Sequence, residues 1–328
     1  MICHIVHYRN PKAPSQIGLW GVLLNQRVHP IEGEFNSTAE FLSRGRDSAY
    51  AIQARALQTA DANSIALRDV ELLSPVKSPG RVLCQGANYR EHMLESGMDP
   101  DAKSFNMFFN KSSASICAGS SDILRPAHVE LLDYEVELGL VIGSRVDREM
   151  AITDDNIHQV VAGIVIGNDI SARDVQVPQM QFFKGKSYRT FCPVGPVLCL
   201  LEKEDMHYLH SLNLELKVND QVRQQDSTEN LVFKPAESLS EFTQVSDLDV
   251  GDLVMTGTPS GCAMQIPPAP IVKLVQLLPE SLKWKFFIKG QKSNGRYLKP
   301  GDRLTTTIQS SDGLVNLGAQ KNLIREAS

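Results

Sequence analysis

The chain has 328 residues, of which 42% are hydrophobic and 22% charged, and its formal net charge is −5. This composition is ordinary for a folded globular protein and excludes wholesale disorder. The negative balance and the lack of a Lys/Arg run exclude the basic surface that nucleic-acid binding requires. No apolar stretch reaches membrane-spanning length, so the sequence predicts a cytoplasmic protein, or an organelle protein after processing, with reduced cysteines.

Residues 1–76 are predicted to form a small N-terminal domain. They begin with a strand-like run and continue into two stretches with helical spacing, STAEFLSRG and SAYAIQARALQ. The sequence SPVKSPG, with two prolines and a glycine, then interrupts the pattern. We therefore expect a second, larger domain over residues 77–328.

Strand-like runs closed by turn signals dominate the larger part, among them RVLCQG, DYEVELGLVIG and VVAGIVIGNDIS. Turn residues at 219–220 and 311–313 predict two hairpins and a largely antiparallel sheet. The helical patterns are short and cover 88–96, 153–160 and 236–244. This balance predicts a strand-rich α+β fold rather than alternating βαβ units.

The stretch LLDYEVELGLVIG places carboxylates at every second position of a strand. Side chains alternate between the two faces of a strand, so Asp133, Glu135 and Glu137 share one face. Glu135 and Glu137 lie roughly 6 to 7 Å apart along the backbone, close enough to bind one cation. A solvated outer face is the alternative, but the continuation LGLVIG is typical of a strand buried on both sides.

A third acid ends a second apolar run, VVAGIVIGNDISARD. A carboxylate from Asp169 that faced Glu135 and Glu137 would complete three oxygen ligands. Such a site suits Mg²⁺, with Mn²⁺ or Ca²⁺ as substitutes. Taken alone, Asp169 is more simply explained as a turn-forming residue.

Two further stretches contain residues suited to catalysis. NYREHMLESG predicts a short helix in which Asn88 and Glu91 resemble a capping pair. On that helix His92 and Glu95 are three residues apart, where a carboxylate can orient an imidazole. Lys186, in FFKGKSYRTFCPVGP, could hold a carboxylate or a developing oxyanion. An incidental exposed helix and a solvated lysine are the alternatives.

The order and spacing of these pieces resemble the fumarylacetoacetate hydrolase family over residues from about 78 to 325. The matching stretches are NYREHMLESG, FFNKSSASI, LRPAHVELLDYEVELGLVIG, GIVIGNDISARDVQ, GKSYRTFCPVGP, VGDLVMTGTPSG and LKPGDRLTTTI. The resemblance implies that family's mixed β-sandwich or roll, with the small N-terminal domain in front of a metal-dependent catalytic domain. It also implies a homodimer.

The resemblance assigns roles to nine residues. The divalent-metal ligands are Glu135, Glu137 and Asp169. The water-activating pair and the oxyanion lysine are His92, Glu95 and Lys186. The substrate contacts are Arg173, Gln176 and Thr258.

By resemblance, the expected activity is Mg²⁺-dependent hydrolysis of a carbon–carbon bond in a small 2-oxo or 1,3-dioxo acid, such as an acylpyruvate or fumarylpyruvate. His92 would take a proton from the attacking water, and Lys186 would stabilise the oxyanion. A hydratase, isomerase or decarboxylase of 2-oxo diacids in aromatic catabolism is the alternative on the same scaffold. A non-catalytic metal-binding dimer is a more distant alternative.

Three features depart from the family pattern. Residues 82–90 contain no carboxylate, which favours a site with three acidic ligands. Arg189 stands where many members have an aspartate. The segment 266–302 is unlike the usual short link, and we expect it to be a lid, an oligomer contact or a surface excursion.

Overall fold

The computed structural model describes residues 2–12, 18–59, 62–77, 79–103, 105–266, 275 and 277–327. In these ranges the chain forms a 13-stranded mixed sheet, a five-stranded sheet and a two-stranded ribbon, with helices around them. The strand-rich α+β fold predicted from the sequence is therefore confirmed.

The strands are β1 (Cys3–Arg9), β2 (Leu19–Leu24), β3 (Arg27–Pro30), β4 (Ile65–Ala66), β5 (Glu71–Leu73), β6 (Val82–Gly86), β7 (Met107–Lys111), β8 (Ile116–Ala118), β9 (Ile123–Arg125), β10 (Leu132–Asp133), β11 (Val136–Ile142), β12 (Val161–Asn168), β13 (Ser171–Ala172), β14 (Cys192–Val194), β15 (Val197–Leu200), β16 (Leu212–Val218), β17 (Gln221–Ser227), β18 (Leu253–Met255), β19 (Arg303–Ser310) and β20 (Asn316–Glu326). The helices are α1 (Thr38–Arg44), α2 (Arg46–Ala56), α3 (Arg90–Glu95), α4 (Arg173–Gln179), α5 (Phe182–Lys186), α6 (Pro235–Val245) and α7 (Glu280–Lys292).

Strands β11 and β12 form the centre of the large sheet. Every residue of both strands is buried, which explains their almost continuous apolar sequence. The two strands pair antiparallel, with Val136 opposite Asn168. The start of β11 and the end of β12 therefore lie at the same edge of the sheet, and the acidic residues of both stretches meet there.

The five-stranded sheet runs β17–β16–β19–β20–β9 and contains both predicted hairpins. Asn219 and Asp220 connect β16 to β17 with φ angles of 50° and 64°, the left-handed pair that a tight two-residue hairpin requires. Strand β16 alternates buried and partly exposed residues, as expected for a sheet with one covered face.

Three helices are predicted in the larger part. Two of them form, as α3 and α6, and the prediction of the third is wrong. Residues 153–160 contain only a short 3₁₀ turn, Ile157–Gln159. The side chain of Asn156 accepts a hydrogen bond from the Thr153 amide at 2.8 Å and donates one to the Ala151 carbonyl at 3.0 Å. Side-chain bonds of this kind compete with the backbone bonds that a longer helix would need.

Strand β1 pairs with β15, so the first residues of the chain belong to the large sheet. The domain boundary between residues 76 and 77 stays a prediction. Of the segment 266–302, residues 267–274 and 276 lie outside the described residues, and α7 follows them. Its function as a lid or oligomer contact also stays a prediction. A search of the described residues finds no helix of sufficient length and apolarity to span a membrane.

Two glycines should respond oppositely to substitution by alanine. A Cβ at Gly163, in β12, would overlap the carbonyl oxygen of Cys199 in β15, whereas one at Gly290, in α7, meets nothing within 4 Å. Gly163→Ala should lower the free energy of unfolding by about 2–3 kcal/mol. Gly290→Ala should raise it by roughly 0.5–1 kcal/mol. Urea unfolding followed by circular dichroism measures both, and equal effects would contradict this packing.

Candidate active site

Three acidic side chains meet at the edge where β11 starts and β12 ends. One oxygen atom from each of Glu135, Glu137 and Asp169 lies within 4.8 Å of the other two. None of the three is more than 5% exposed. The Asp169 amide donates to the Glu135 carbonyl at 2.8 Å, and the Glu135 amide donates to the Asn168 side chain at 3.0 Å. Backbone pairing therefore holds the three acids together.

Two buried lysines bind this cluster from different sides. The Lys186 ammonium, at the end of α5, lies 2.6 Å from a carboxylate oxygen of Glu135 and 2.6 Å from one of Asp169. The Lys111 ammonium, at the end of β7, donates to the second oxygen of Asp169 and to the Phe191 carbonyl at 2.8 Å. Each oxygen of the Asp169 carboxylate thus accepts a bond from a different lysine.

The guanidinium of Arg173, at the start of α4, joins the cluster to a fourth acid. It donates to Glu135, to Asp133 at 2.8 Å and to the Gln176 amide oxygen at 2.8 Å. The Asp133 carboxylate also accepts backbone amide bonds from Ala263 and Met264, at 2.7 and 3.0 Å, and one from its neighbour Tyr134. Asp133 therefore fixes both the arginine and the chain that leads into the segment 266–302.

Glu137 is the acid without a hydrogen-bonded cation among the described residues. Its carboxylate accepts a backbone bond of 2.8 Å from Gly257. Burial, followed by the negative charges of Asp169 and Glu135, raises the pKa of Glu137 well above its usual range. Burial also raises the pKa of Glu135, but the charges of Arg173 and Lys186 outweigh it and lower that pKa to about 2.

The charges of this cluster favour a bound cation. Four buried carboxylates face three buried cations, which leaves an excess of one negative charge when all are ionised. An uncompensated negative charge is costly in a buried site, and a bound cation would compensate it. The donors are oxygens alone, and each carboxylate oxygen has two lone pairs, so an oxygen that accepts a bond from a lysine or arginine can also bind an ion. The three acids can therefore hold a metal ion.

A cavity of about 330 Å³ opens over the cluster. All but one of the nine site residues predicted from the sequence line it, and Glu95 is the exception. Thr258 lines the cavity, but its hydroxyl donates to the Val136 carbonyl at 2.9 Å and accepts from Gln224 at 2.8 Å. Its side chain thereby also supports the start of β11.

His92 enters the cavity from α3. Its Nδ1 atom lies 3.9 Å from a carboxylate oxygen of Glu95, beyond direct hydrogen-bond distance. Glu95 also accepts a bond of 3.3 Å from the Gly261 amide. The neighbouring imidazole is the main cause that lowers the pKa of Glu95. The expected pair is therefore present as a loose contact.

Asn88 is not the helix cap that the sequence predicts. The N-terminal cap position of α3 is Tyr89, which makes no side-chain capping bond. The fully buried amide of Asn88 instead bonds the backbone of Phe233 and the Thr256 carbonyl, at 2.8 to 3.0 Å. A Cβ at Gly257 would lie 2.8 Å from the Cβ of Asn88. The chain before α3 is thus packed directly against the loop that binds Glu137.

Two charged residues of the cluster have no role in the sequence analysis. Lys111 lies in FFNKSSASI, at the end of an apolar strand, and this position was the one feature of the sequence that could have indicated a buried lysine. The sequence predicts one strand face for Asp133, Glu135 and Glu137, but the structure interrupts that strand at residues 134–135, between β10 and β11. Nothing local indicated that Asp133 would pair with Arg173 rather than bind a metal ion. Both pairings join stretches far apart in sequence.

Residues 81–325 match the family model of the fumarylacetoacetate hydrolase C-terminal domain. This range covers most of the chain and contains the whole cluster of acids and cations. The chain belongs to the fumarylacetoacetate hydrolase family, an enzyme family, as the sequence motifs predicted.

Individual relatives point to a particular kind of reaction. The oxaloacetate tautomerase YisK of Bacillus subtilis is 36% identical over 211 residues, which cover 63% of this chain and 68% of the relative. The mitochondrial oxaloacetate tautomerase Fahd2a of Rattus norvegicus is 34% identical over 269 residues, 81% of this chain and 82% of the relative. A crystal structure from Mycobacterium abscessus, described as a probable 2-hydroxyhepta-2,4-diene-1,7-dioate isomerase, is 27% identical with a TM-score of 0.69 and 100% coverage of both chains.

The expectation of a hydrolase that cleaves a carbon–carbon bond is wrong. These three relatives are named as tautomerases and an isomerase, enzymes that move a hydrogen and a double bond without adding water. The isomerase alternative agrees better with them. The error has a physical reason, because a cluster that stabilises an enolate serves both reaction types and its residues do not distinguish them.

The charge balance predicts that replacing Glu137 weakens ion binding but stabilises the ion-free protein. Glu137→Gln removes the excess negative charge and keeps an acceptor for the Gly257 amide. The ion-free variant should melt at a higher temperature than the parent, while its affinity for Mn²⁺ should fall at least tenfold, about 1.4 kcal/mol. Calorimetric titration and thermal melting measure the two effects. The exposed Glu91→Gln is the control, and undiminished Mn²⁺ binding by Glu137→Gln would contradict the assignment.

Proposed function

We propose that this chain catalyses the keto–enol tautomerisation of a 2-oxo acid. The observation that carries the proposal is the arrangement of His92, Lys186 and the three clustered acids around one cavity. Tautomerisation needs a group that moves a proton at carbon 3 and donors that stabilise the oxygen at carbon 2. The oxaloacetate tautomerases among the relatives support this choice.

Glu135, Glu137 and Asp169 would hold the metal ion. A divalent ion bound there supplies electrophilic activation of the 2-oxo acid, since it stabilises negative charge on the oxygen at carbon 2. Hard oxygen donors make Mg²⁺ the proposed ion, with Mn²⁺ or Ca²⁺ as substitutes. The homodimer and the cytoplasmic location remain predictions.

Lys186 is the proposed donor to the enolate oxygen. An ammonium group has three N–H donors, and the carboxylates of Glu135 and Asp169 accept two of them. The third is available to a ligand in the cavity that Lys186 lines. Lys111 differs, because Asp169 and two backbone carbonyls, of Phe191 and Ile170, accept its bonds.

His92 is the proposed proton carrier. In the neutral form it takes a proton from carbon 3 as the enolate forms; the enolate oxygen then takes a proton from solvent to give the enol, and the imidazolium gives its proton to solvent. In the opposite direction the enol oxygen gives its proton to solvent and the imidazolium donates a proton to carbon 3. Glu95 stabilises the imidazolium, at a distance that limits its contribution. Arg173 and Gln176 line the same cavity and are proposed to orient the substrate.

The role of Lys186 is tested by removing its charge. Lys186→Met should lower kcat for the conversion of enol to keto oxaloacetate by about 10²–10³-fold, because a donor to the enolate oxygen is lost. The decay of the enol absorbance in the presence of Mg²⁺ measures the rate. Lys184→Met is the matched control, since Lys184 is exposed on the same helix. Equal rates for the two variants would reject the proposed donor.

The role of His92 is tested in the same assay. His92→Gln should lower kcat by about 10²–10⁴-fold, the usual contribution of general acid–base catalysis. Glu95→Gln should have a smaller effect, because the two side chains are not directly hydrogen-bonded. Glu91→Gln, exposed on the same helix, should leave the rate unchanged. A His92→Gln enzyme with full activity would overturn the assignment.

A further inference from the structure

We infer that the cavity contains a second, apolar subsite, and that the preferred substrate is a 2-oxo acid that carries an aromatic or similarly apolar group at carbon 3. This inference rests on the proposed function for the end of the substrate that reacts. It adds the chemical class of the other end.

The lining of the cavity divides by chemistry. The charged groups form the buried floor. Besides the polar residues Gln85, His92, Ser96, Gln176 and Thr258, the remaining lining includes four methionines and two phenylalanines, namely Met98, Met107, Met180, Met264, Phe109 and Phe182. Met180 is 80% exposed and therefore lies at the mouth. Methionine is flexible and polarisable and makes favourable contacts with aromatic rings, so this wall suits an apolar ring.

Phe109 connects the floor to the apolar wall. The Lys186 ammonium lies 5.2 Å from the centre of the Phe109 ring. The centre of the Phe182 ring is also 5.2 Å from the centre of the Phe109 ring. Met107 precedes Phe109 by two residues in β7, so the two side chains share one strand face. The apolar wall thus begins directly beside the proposed enolate donor.

The cations of the cavity are already paired. Among the described residues that line it, Arg173 and Lys186 are the cationic ones, and each binds two carboxylates. A second carboxylate on the substrate would lie against methionine and phenylalanine without a cation of its own, which is costly. An apolar group loses nothing there and gains contact area.

The volume accommodates both ends of such a substrate. An apolar cavity of about 150 Å³ is enough to bind benzene. The cavity of about 330 Å³ therefore has room for a six-membered ring beyond the chelating 2-oxo acid end.

Binding of two ligands that differ by one ring tests the subsite apart from catalysis. Titration of the Mn²⁺-loaded protein with pyruvate and with phenylpyruvate should give at least a tenfold lower Kd for phenylpyruvate. Met107→Lys should reduce this ratio to below threefold, and so should Met180→Lys, whose exposed position tolerates a charge. Leu314→Lys, on a distant hairpin where Leu314 is 59% exposed, should leave it unchanged. A ratio near one for the parent protein would overturn the subsite.

Turnover of two enols then separates the subsite from the proposed reaction. The parent enzyme should convert enol phenylpyruvate with a kcat/KM at least tenfold above that for enol oxaloacetate, and Met107→Lys should reverse the order. Preference of the parent enzyme for oxaloacetate would overturn the inference and leave tautomerisation standing. Tighter binding of phenylpyruvate without turnover of either enol would support the subsite and reject the proposed reaction.

Discussion

An excess of negative charge in a buried space is the constraint that the rest of this structure meets. Four carboxylates lie buried at the edge of the central sheet, where like charges repel more strongly than at the surface. Each of the three cations pairs with particular carboxylates and offsets part of that repulsion. Lys111 and Arg173 bind acids to the scaffold, whereas Lys186 bridges two acids and retains a donor for a ligand. Glu137 has a backbone amide as its donor and no paired cation among the described residues. This unpaired carboxylate makes the cluster receptive to an ion.

Strand pairing, rather than loop structure, determines where the acidic residues lie. Antiparallel pairing of β11 with β12 brings two acidic stretches to one edge although more than thirty residues separate them. The apolar residues of these strands fill the core, so the acids are anchored by the most buried part of the molecule. Sites on rigid elements keep their geometry better than sites on loops, which suits a reaction sensitive to small displacements.

The sequence was sufficient where local patterns determine the outcome. The apolar continuation LGLVIG in β11, the turn at Asn219 and Asp220, and the apolar run that ends at Asn168 each predict their own structure. It was insufficient where a side chain chooses between partners distant in sequence. Asn88 looked like a helix cap but bonds the backbone of Phe233 and Thr256. Asn156 is a local case, because its side chain bonds Thr153 and Ala151 where spacing alone favoured a helix. The reaction type was missed for a similar reason, since one charge cluster serves several reactions of an enolate.

The close packing of Asn88 against Gly257 has a consequence for how the protein works. Gly257 donates to Glu137, and Asn88 stands two residues before α3, which carries His92. Asn88 and Gly257 pack so closely that a side chain at 257 would not fit between them. The separation between the acid cluster and the imidazole is therefore built in during folding.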